Sequence, residues 1–186
     1  MQKAGLNPEG VIPFPIDIVK NVPTKKSNNK ITVFHPLNRV DLTYDFKGTL
    51  LIKEAFENLQ LKYPEVEFIM KGNMSHEEYN DFTDEVDIIV DQCYSYSYGM
   101  SAAYGLAKGK VVLSGLEEVT KSEEHYAQCP VINIKPDVRS IEEELDQLLQ
   151  NRERISLLSG ESRSFAEKYH DSTKVAKKYI ELYQSL

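Results

Sequence analysis

Asp87-Ile-Ile-Val-Asp91-Gln-Cys-Tyr-Ser-Tyr-Ser-Tyr98-Gly99-Met-Ser-Ala-Ala-Tyr104-Gly-Leu-Ala-Lys-Gly109-Lys-Val-Val-Leu113 is the stretch that decides the fold. The stretch from Val86 to Asp91, apolar through Ile88, Ile89 and Val90, predicts a strand buried on both faces. Gly99 then permits a tight turn into a short helix of small residues, Gly99 to Ala107, and Lys110 to Leu113 predicts the next strand.

The same alternation extends in both directions. Upstream, Ile31 to His35 predicts a strand ending at Pro36. Gly48 to Lys62 predicts a helix with Leu51, Ile52, Ala55, Phe56 and Leu59 on one stripe, and Val66 to Met70 a second strand. Ser75 with Glu78 reads as a capping box opening a helix to about Phe82. Downstream, Glu117 to Ala127 reads as partly helical and Pro130 to Ile134 as the fifth strand. Ser140 with Glu143 reads as another capping box, before helices over 141–149, 152–169 and 173–183. Strands of unbroken Val, Ile and Phe alternating with helices predict an α/β fold, a Rossmann-like doubly wound parallel sheet with helices on both faces. Residues 1–30 differ: Pro8, Pro13, Pro15, Pro23 and the polar run from Thr24 to Asn29 predict an arm or interdomain linker, with the domain occupying 31–186.

Composition narrows the class. A chain of 186 residues is one domain, or one domain with an arm. Its net charge of −7 argues against nucleic acid or an anionic membrane surface as the main partner. No apolar run approaches the roughly 20 residues of a membrane span, and the first residues lack a signal-peptide pattern. Cys93 and Cys129 stand in no metal or redox spacing and read as reduced thiols, giving an expected cytoplasmic location.

Doubly wound sheets bind ligands beyond the carboxyl ends of their strands, which directs attention to the loops after His35, Met70, Asp91 and Leu113. In the first, Arg39 and Lys47 flank the helix start at Gly48-Thr49, an arrangement that suits a diphosphate. The plainer alternative, solvated loop cations and a simple cap, carries more weight on composition alone. The loop after Asp91 supplies Gln92, Ser97 and Tyr98 as polar handles, with room beside Gly99 and Ser101 for a phosphate or sugar. Its tyrosines suit stacking, or simple packing at the sheet end. A GxGxxG fingerprint is absent, which disfavours a dinucleotide oxidoreductase. His35, His76, His125 and His170 share no metal-ligand spacing, and His35 reads first as structural. Glu117 and Glu118 read as a solvated acidic face, with a sugar contact as the lesser alternative. Lys174, Lys177 and Lys178 are weak evidence for a lipid or partner contact.

Taken in order, His35-Pro-Leu-Asn-Arg39, Lys47-Gly48-Thr49, Asp87-Ile-Ile-Val-Asp91-Gln92, Tyr98-Gly99, Gly105-Leu-Ala-Lys-Gly109-Lys110 and the tail from Phe165 to Asp171 resemble the C-terminal nucleotide-sugar-binding domain of GT-B glycosyltransferases. The likeness is to the bacterial group 1 (GT4-like) enzymes of surface-polysaccharide synthesis, and it runs from about Val11 to the C-terminus. It implies a retaining transferase using a UDP- or GDP-linked sugar and no metal or other cofactor. It places Arg39, Lys47 and Gly48 at the donor diphosphate. The donor base and sugar fall to Gly72, Gln92, Tyr98, Gly99, Met100, Ser101 and Tyr104, with no catalytic residue assigned. The implied partners are the nucleotide-sugar and an N-terminal acceptor domain, without which this chain is expected to be inactive. Peripheral membrane contact is allowed through the full-length protein.

Two departures stand against the family pattern. Tyr104 occupies the place of the glutamate that holds the donor ribose, and Tyr96 that of the upstream glutamate. A phenol bonds a hydroxyl but lacks a carboxylate's double acceptance. The chain also offers one Rossmann-like half where the family has two, so it is expected to be an excised domain. The rival expectation is a catalytically degenerate domain kept as a binding or interaction module. A sugar-nucleotide epimerase fragment is a third, lesser one.

Overall fold

A computed structural model describes residues 11–24, 26–37, 45–120 and 124–185. Five parallel strands, β1 (Thr32–Pro36), β2 (Glu67–Lys71), β3 (Ile88–Val90), β4 (Val111–Ser114) and β5 (Ile132–Asn133), form one sheet in the order β2-β1-β3-β4-β5. Phe34 of β1 sits level with Ile69 on one side and Ile89 on the other, and Ile89 in turn with Val112. The strand order reverses between β1 and β3, which makes the gap between their carboxyl ends the topological switch point.

The unbroken apolar runs are explained by burial on both faces, since alternate residues of one strand point to opposite sides. Ile88 and Val90 pack with α1 (Thr49–Lys62) and α5 (Val138–Gln150), through Ile52, Phe56, Ile141 and Leu145. Ile89 packs on the other face beneath α2 (His76–Asp84), where Phe82 meets Phe34 edge-on at 4.9 Å. Val112 meets α3 (Met100–Ala107) and α6 (Arg152–Tyr169) through Ala102, Leu106, Phe165 and Ala166. Each large apolar side chain so buried contributes roughly 1.5–3 kcal/mol. A 3-10 turn (Glu118–Thr120), the short α4 (Glu124–Ala127) and α7 (Ser172–Ser185) complete the described elements.

The Rossmann-like class expected from the sequence is the one observed. The capping box at Ser75 and Glu78 is present in full. The second one is not. α5 starts at Val138, because Asp137 is its N-cap and accepts from the Ser140 N–H, while the Ser140 hydroxyl accepts from Lys135 N–H. Asp137 follows Pro136 and reaches the free N–H groups first, and Glu143 pairs with Arg139 instead.

The described part of the proline-rich arm is docked on the domain. Ile16 is fully buried and exchanges backbone hydrogen bonds with His170 and Ser172 at 2.7 and 2.9 Å. The Arg163 guanidinium donates to the carbonyls of Ile18, Asn21 and Ala107, tying the arm to α6 and α3. Among the described residues no helix is long and apolar enough to cross a membrane.

Candidate functional site

The switch point holds a buried ion pair. Lys47, two residues ahead of α1, puts its Nζ 2.7 Å from Asp91 Oδ1, with the two side chains 6% and 1% exposed. Asp91 directly follows β3, and its second oxygen accepts the Gly99 N–H at 3.0 Å. Ser101, in the first turn of α3, places its hydroxyl 3.4 Å from the same ammonium. One carboxylate thus holds both the cation and the turn that opens α3.

Gly48 lies in the left-handed region (φ 77), and the Cys93 sulfur occupies the space a β-carbon would need. Cys93 N–H donates to the Lys47 carbonyl at 2.8 Å, so the two loops are stitched together here. Burial pushes the Cys93 thiol up to about 11, leaving it protonated and inert at neutral pH.

The amino end of α1, which the sequence offered to a diphosphate, is already occupied by a carboxylate. Asp45 accepts from the N–H groups of Thr49 and Leu50 at 2.6 and 3.0 Å. Partial burial works against this charge, yet the bonds from Leu50, Thr49 and Gly48 hold the carboxyl below its usual range. At the amino end of α3, Gly99 provides no side-chain cap, and its N–H goes to Asp91, the one bond to this end among the described residues. The open anion-binding end among these two helices is therefore α3.

His35 sits beneath this site, fully buried, with Nδ1 2.7 Å from the Val90 carbonyl and Nε2 2.9 Å from the Thr49 hydroxyl. A carbonyl can only accept, so Nδ1 carries the proton and Nε2 accepts from Thr49. Burial, aided by the Lys47 charge, pushes its pKa down to about 4. His35 is a neutral strut between β1, β3 and α1, in keeping with its structural reading.

The remaining residues singled out in the sequence are placed as follows. Arg39 lies outside the described residues. Gln92 closes its own loop, its amide donating to Ser97 O at 2.9 Å while its carbonyl accepts the Gly115 N–H. Gly72 packs so tightly on Leu37 that a β-carbon would approach the Leu37 carbonyl to 2.9 Å. Met100, 41% exposed, lies at the mouth of the crevice beside Gly99. Tyr104, half-buried about one turn further along α3, turns its ring edge-on to His76 at 5.3 Å. Tyr98 points the other way: its ring is buried, and its hydroxyl donates to His170 Nε2 at 2.9 Å, while His170 Nδ1 bonds the Phe14 carbonyl. It anchors the loop to the arm and α6 and presents no polar atom to the crevice. The structure thus unites Lys47, Gly48, Gly99 and Ser101, and keeps Tyr98 apart from them.

Two residues were not selected from the sequence. Asp91 was quoted only as part of a motif, though a carboxylate closing an apolar strand is itself a signal of a site. Asp45 carried the ordinary signal of an acid just ahead of a helix. Among the described residues no group of three or more His, Cys, Asp or Glu is placed to hold a metal ion.

Neither a protein-family model nor a curated protein sequence matches the chain. Solved structures do. HepE from Anabaena, in complex with UDP and glucose, superposes with a TM-score of 0.67 at 13% identity, covering 92% of this chain and 56% of that one. Sucrose-phosphate synthase from Thermosynechococcus elongatus gives 0.67 at 15% identity, over 94% of this chain and 51% of that one. The pneumococcal O-GlcNAc transferase GtfA gives 0.59 at 13%, over 95% and 38%. The chain therefore has the Rossmann-like fold found in GT-B glycosyltransferases, and is a glycosyltransferase-like domain in fold. It spans about half the length of the first two solved chains. At such identities the likeness establishes fold, and activity has to be argued from the site.

Proposed function

We propose that the chain is the nucleotide-sugar-binding domain of a GT4-like, retaining glycosyltransferase of bacterial surface-polysaccharide assembly. The donor is UDP- or GDP-linked, and the acceptor a polysaccharide, lipid-linked or cell-envelope molecule. One observation carries this reading: the uncapped amino end of α3 faces the switch point with Lys47 and Ser101 beside it. Transfer builds negative charge on the departing diphosphate. The α3 N–H groups and the Lys47 ammonium, which still has a donor to spare beyond Asp91 and Ser101, can stabilise that charge in place. Arg39 would join them from the β1–α1 connection, while Gly72 and Gln92 border the base and sugar, and Tyr104 would bond the ribose in place of the usual carboxylate. No metal or other cofactor is assigned a part. HepE was solved with UDP-glucose as well as with UDP, which supports this class of ligand. The reading includes an N-terminal acceptor domain as partner, a cytoplasmic location, and peripheral membrane contact through the full-length protein.

A second reading, a degenerate domain kept as a binding module, is favoured by the carboxylates. Asp91 neutralises Lys47, and Asp45 fills the α1 terminus. Calorimetric titration with UDP, GDP, CMP and ADP tests both. The transferase reading expects one nucleoside diphosphate to bind, with Arg39→Ala or Ser101→Ala weakening it about tenfold to a hundredfold, the worth of a charge-assisted bond at the upper end. No heat from any nucleotide, with the domain folded, would leave the degenerate module as the account.

A further inference from the structure

At the opposite end of the sheet, beneath the amino ends of β3 and β4, the structure has a solvent-open cavity of about 280 Å³. Its wall carries Lys26 from the arm, Lys108 and Lys110 from the α3–β4 turn, Arg152 and Ser156 from the start of α6, and Asp87 ahead of β3. Four cations meet in a chain whose net charge is −7.

Two of the four are matched. Lys26 pairs with Asp87 at 2.6 Å, and Lys108 with Asp84 at 2.6 Å. The other two have no ion pair among the described residues. Lys110 is 6% exposed, and its ammonium donates to the Asp84 backbone carbonyl at 3.0 Å. An ammonium has three donors, so this leaves it capacity for a ligand. Burial pulls the Lys110 pKa down, with Asp84 and Asp87 opposing the shift, the behaviour of a cation that lacks a full counter-charge. Arg152, exposed at the first position of α6, lines the cavity with its side chain, while the amino end of that helix is capped by Asn151, whose side chain accepts the Arg154 N–H at 3.2 Å. The carbonyl ends of α2 and α3 lie nearby, but Lys108 covers the former by donating to Asn80 O and the Asp84 carboxylate.

We propose that this cavity binds a tetrahedral oxyanion, either inorganic phosphate or the phosphoryl group of a small phosphorylated compound, held by Lys110 and Arg152 with the Ser156 hydroxyl beside them. The site is separate from the donor crevice and stands whether or not a nucleotide-sugar binds there.

The test is calorimetry on the full chain with inorganic phosphate and, separately, ribose 5-phosphate, each against sodium chloride of equal ionic strength. Binding at this cavity is expected to weaken about tenfold or more in Lys110→Met and in Arg152→Ala and to persist in Ser101→Ala, which removes any separate uptake of the probe in the donor crevice. The tighter of the two probes names the source of the phosphoryl group. Three results would overturn the proposal. One is no heat beyond the chloride control at about 10 mM of either probe, a concentration that detects even millimolar affinity. Another is a Lys110→Met protein of lowered denaturation midpoint that binds phosphate as before, which would reduce Lys110 to a cap on α2. The third is binding lost in Ser101→Ala and retained in Arg152→Ala.

Discussion

The two ends of the sheet each bury a lysine, and they treat it differently. At the carboxyl end, Lys47 meets the Asp91 carboxylate at 2.7 Å; at the amino end, Lys110 meets one backbone carbonyl at 3.0 Å. Lys47 lies just ahead of α1 and Lys110 just ahead of β4, and both are buried. The first is charge-balanced by its carboxylate, which fixes the shape of a crevice and leaves the ammonium one donor to spare. The second has no carboxylate within ion-pair distance among the described residues, and two of its donors are left over. A buried charge alone therefore does not mark a binding site; its partner decides what it does.

That contrast is broken most severely at Asp91. Asp91→Ala leaves the Lys47 ammonium buried without its counter-charge and releases the Gly99 N–H, and should cost about 3–5 kcal/mol in urea denaturation. The double change Lys47→Met with Asp91→Leu should recover much of that loss, because neither charge then remains.

The next largest effect is titration. His35 and His125 are both held near pKa 4, chiefly by burial, below the ordinary histidine value of 6.5. A depressed histidine pKa means the unfolded chain binds more protons between those values. Stability is then full above pH 6.5 and falls as pH drops toward 4, by roughly 3 kcal/mol for His35 alone. Denaturation midpoints at pH 7 and pH 5 measure it, and His35→Asn should flatten the dependence even though it lowers the plateau.

Much of this was legible beforehand. The strands were readable because both faces of the sheet are covered, so each strand is apolar throughout and stands out from the helices between. The helix start at Ser75 was readable because its two partners lie three residues apart. The misread start of α5 shows the limit of that local rule: Asp137 and Ser140 both had the chemistry of a cap, and backbone direction chose between them. Lys47, Gly48 and Gly99 were visible in the sequence because each stands at the start of a helix, where glycine opens a tight turn and free N–H groups suit an anion. The Asp91–Lys47 pair spans 44 residues, and the Tyr98–His170 bond 72. No spacing rule reaches so far, which is why Tyr98 read as a ligand group and is an anchor. The cavity at the amino end draws on the arm, two connections and α6, and local patterns could not assemble it.

Smaller changes sharpen the comparison. Gly115→Ala should cost about 1–3 kcal/mol by overpacking, because the Ser95 carbonyl occupies the β-carbon position and the loop carrying Asp91 to Gly99 must shift. Lys110→Met should cost about 1 kcal/mol or less in urea, the net worth of one hydrogen bond offset by relief of a buried charge. The gap between Asp91→Ala and Lys110→Met is the comparison expressed as stability.

The most direct test of the account's functional claim is a two-dimensional amide NMR titration of the full chain with UDP-glucose and with GDP-mannose. Saturable shifts at Gly48, Gly99, Met100 and Ser101, with Lys108 to Lys110 and Arg152 unmoved, are the predicted result for one of the two. Shifts confined to the amino-end cavity, or none at millimolar donor, would contradict a nucleotide-sugar site at the switch point.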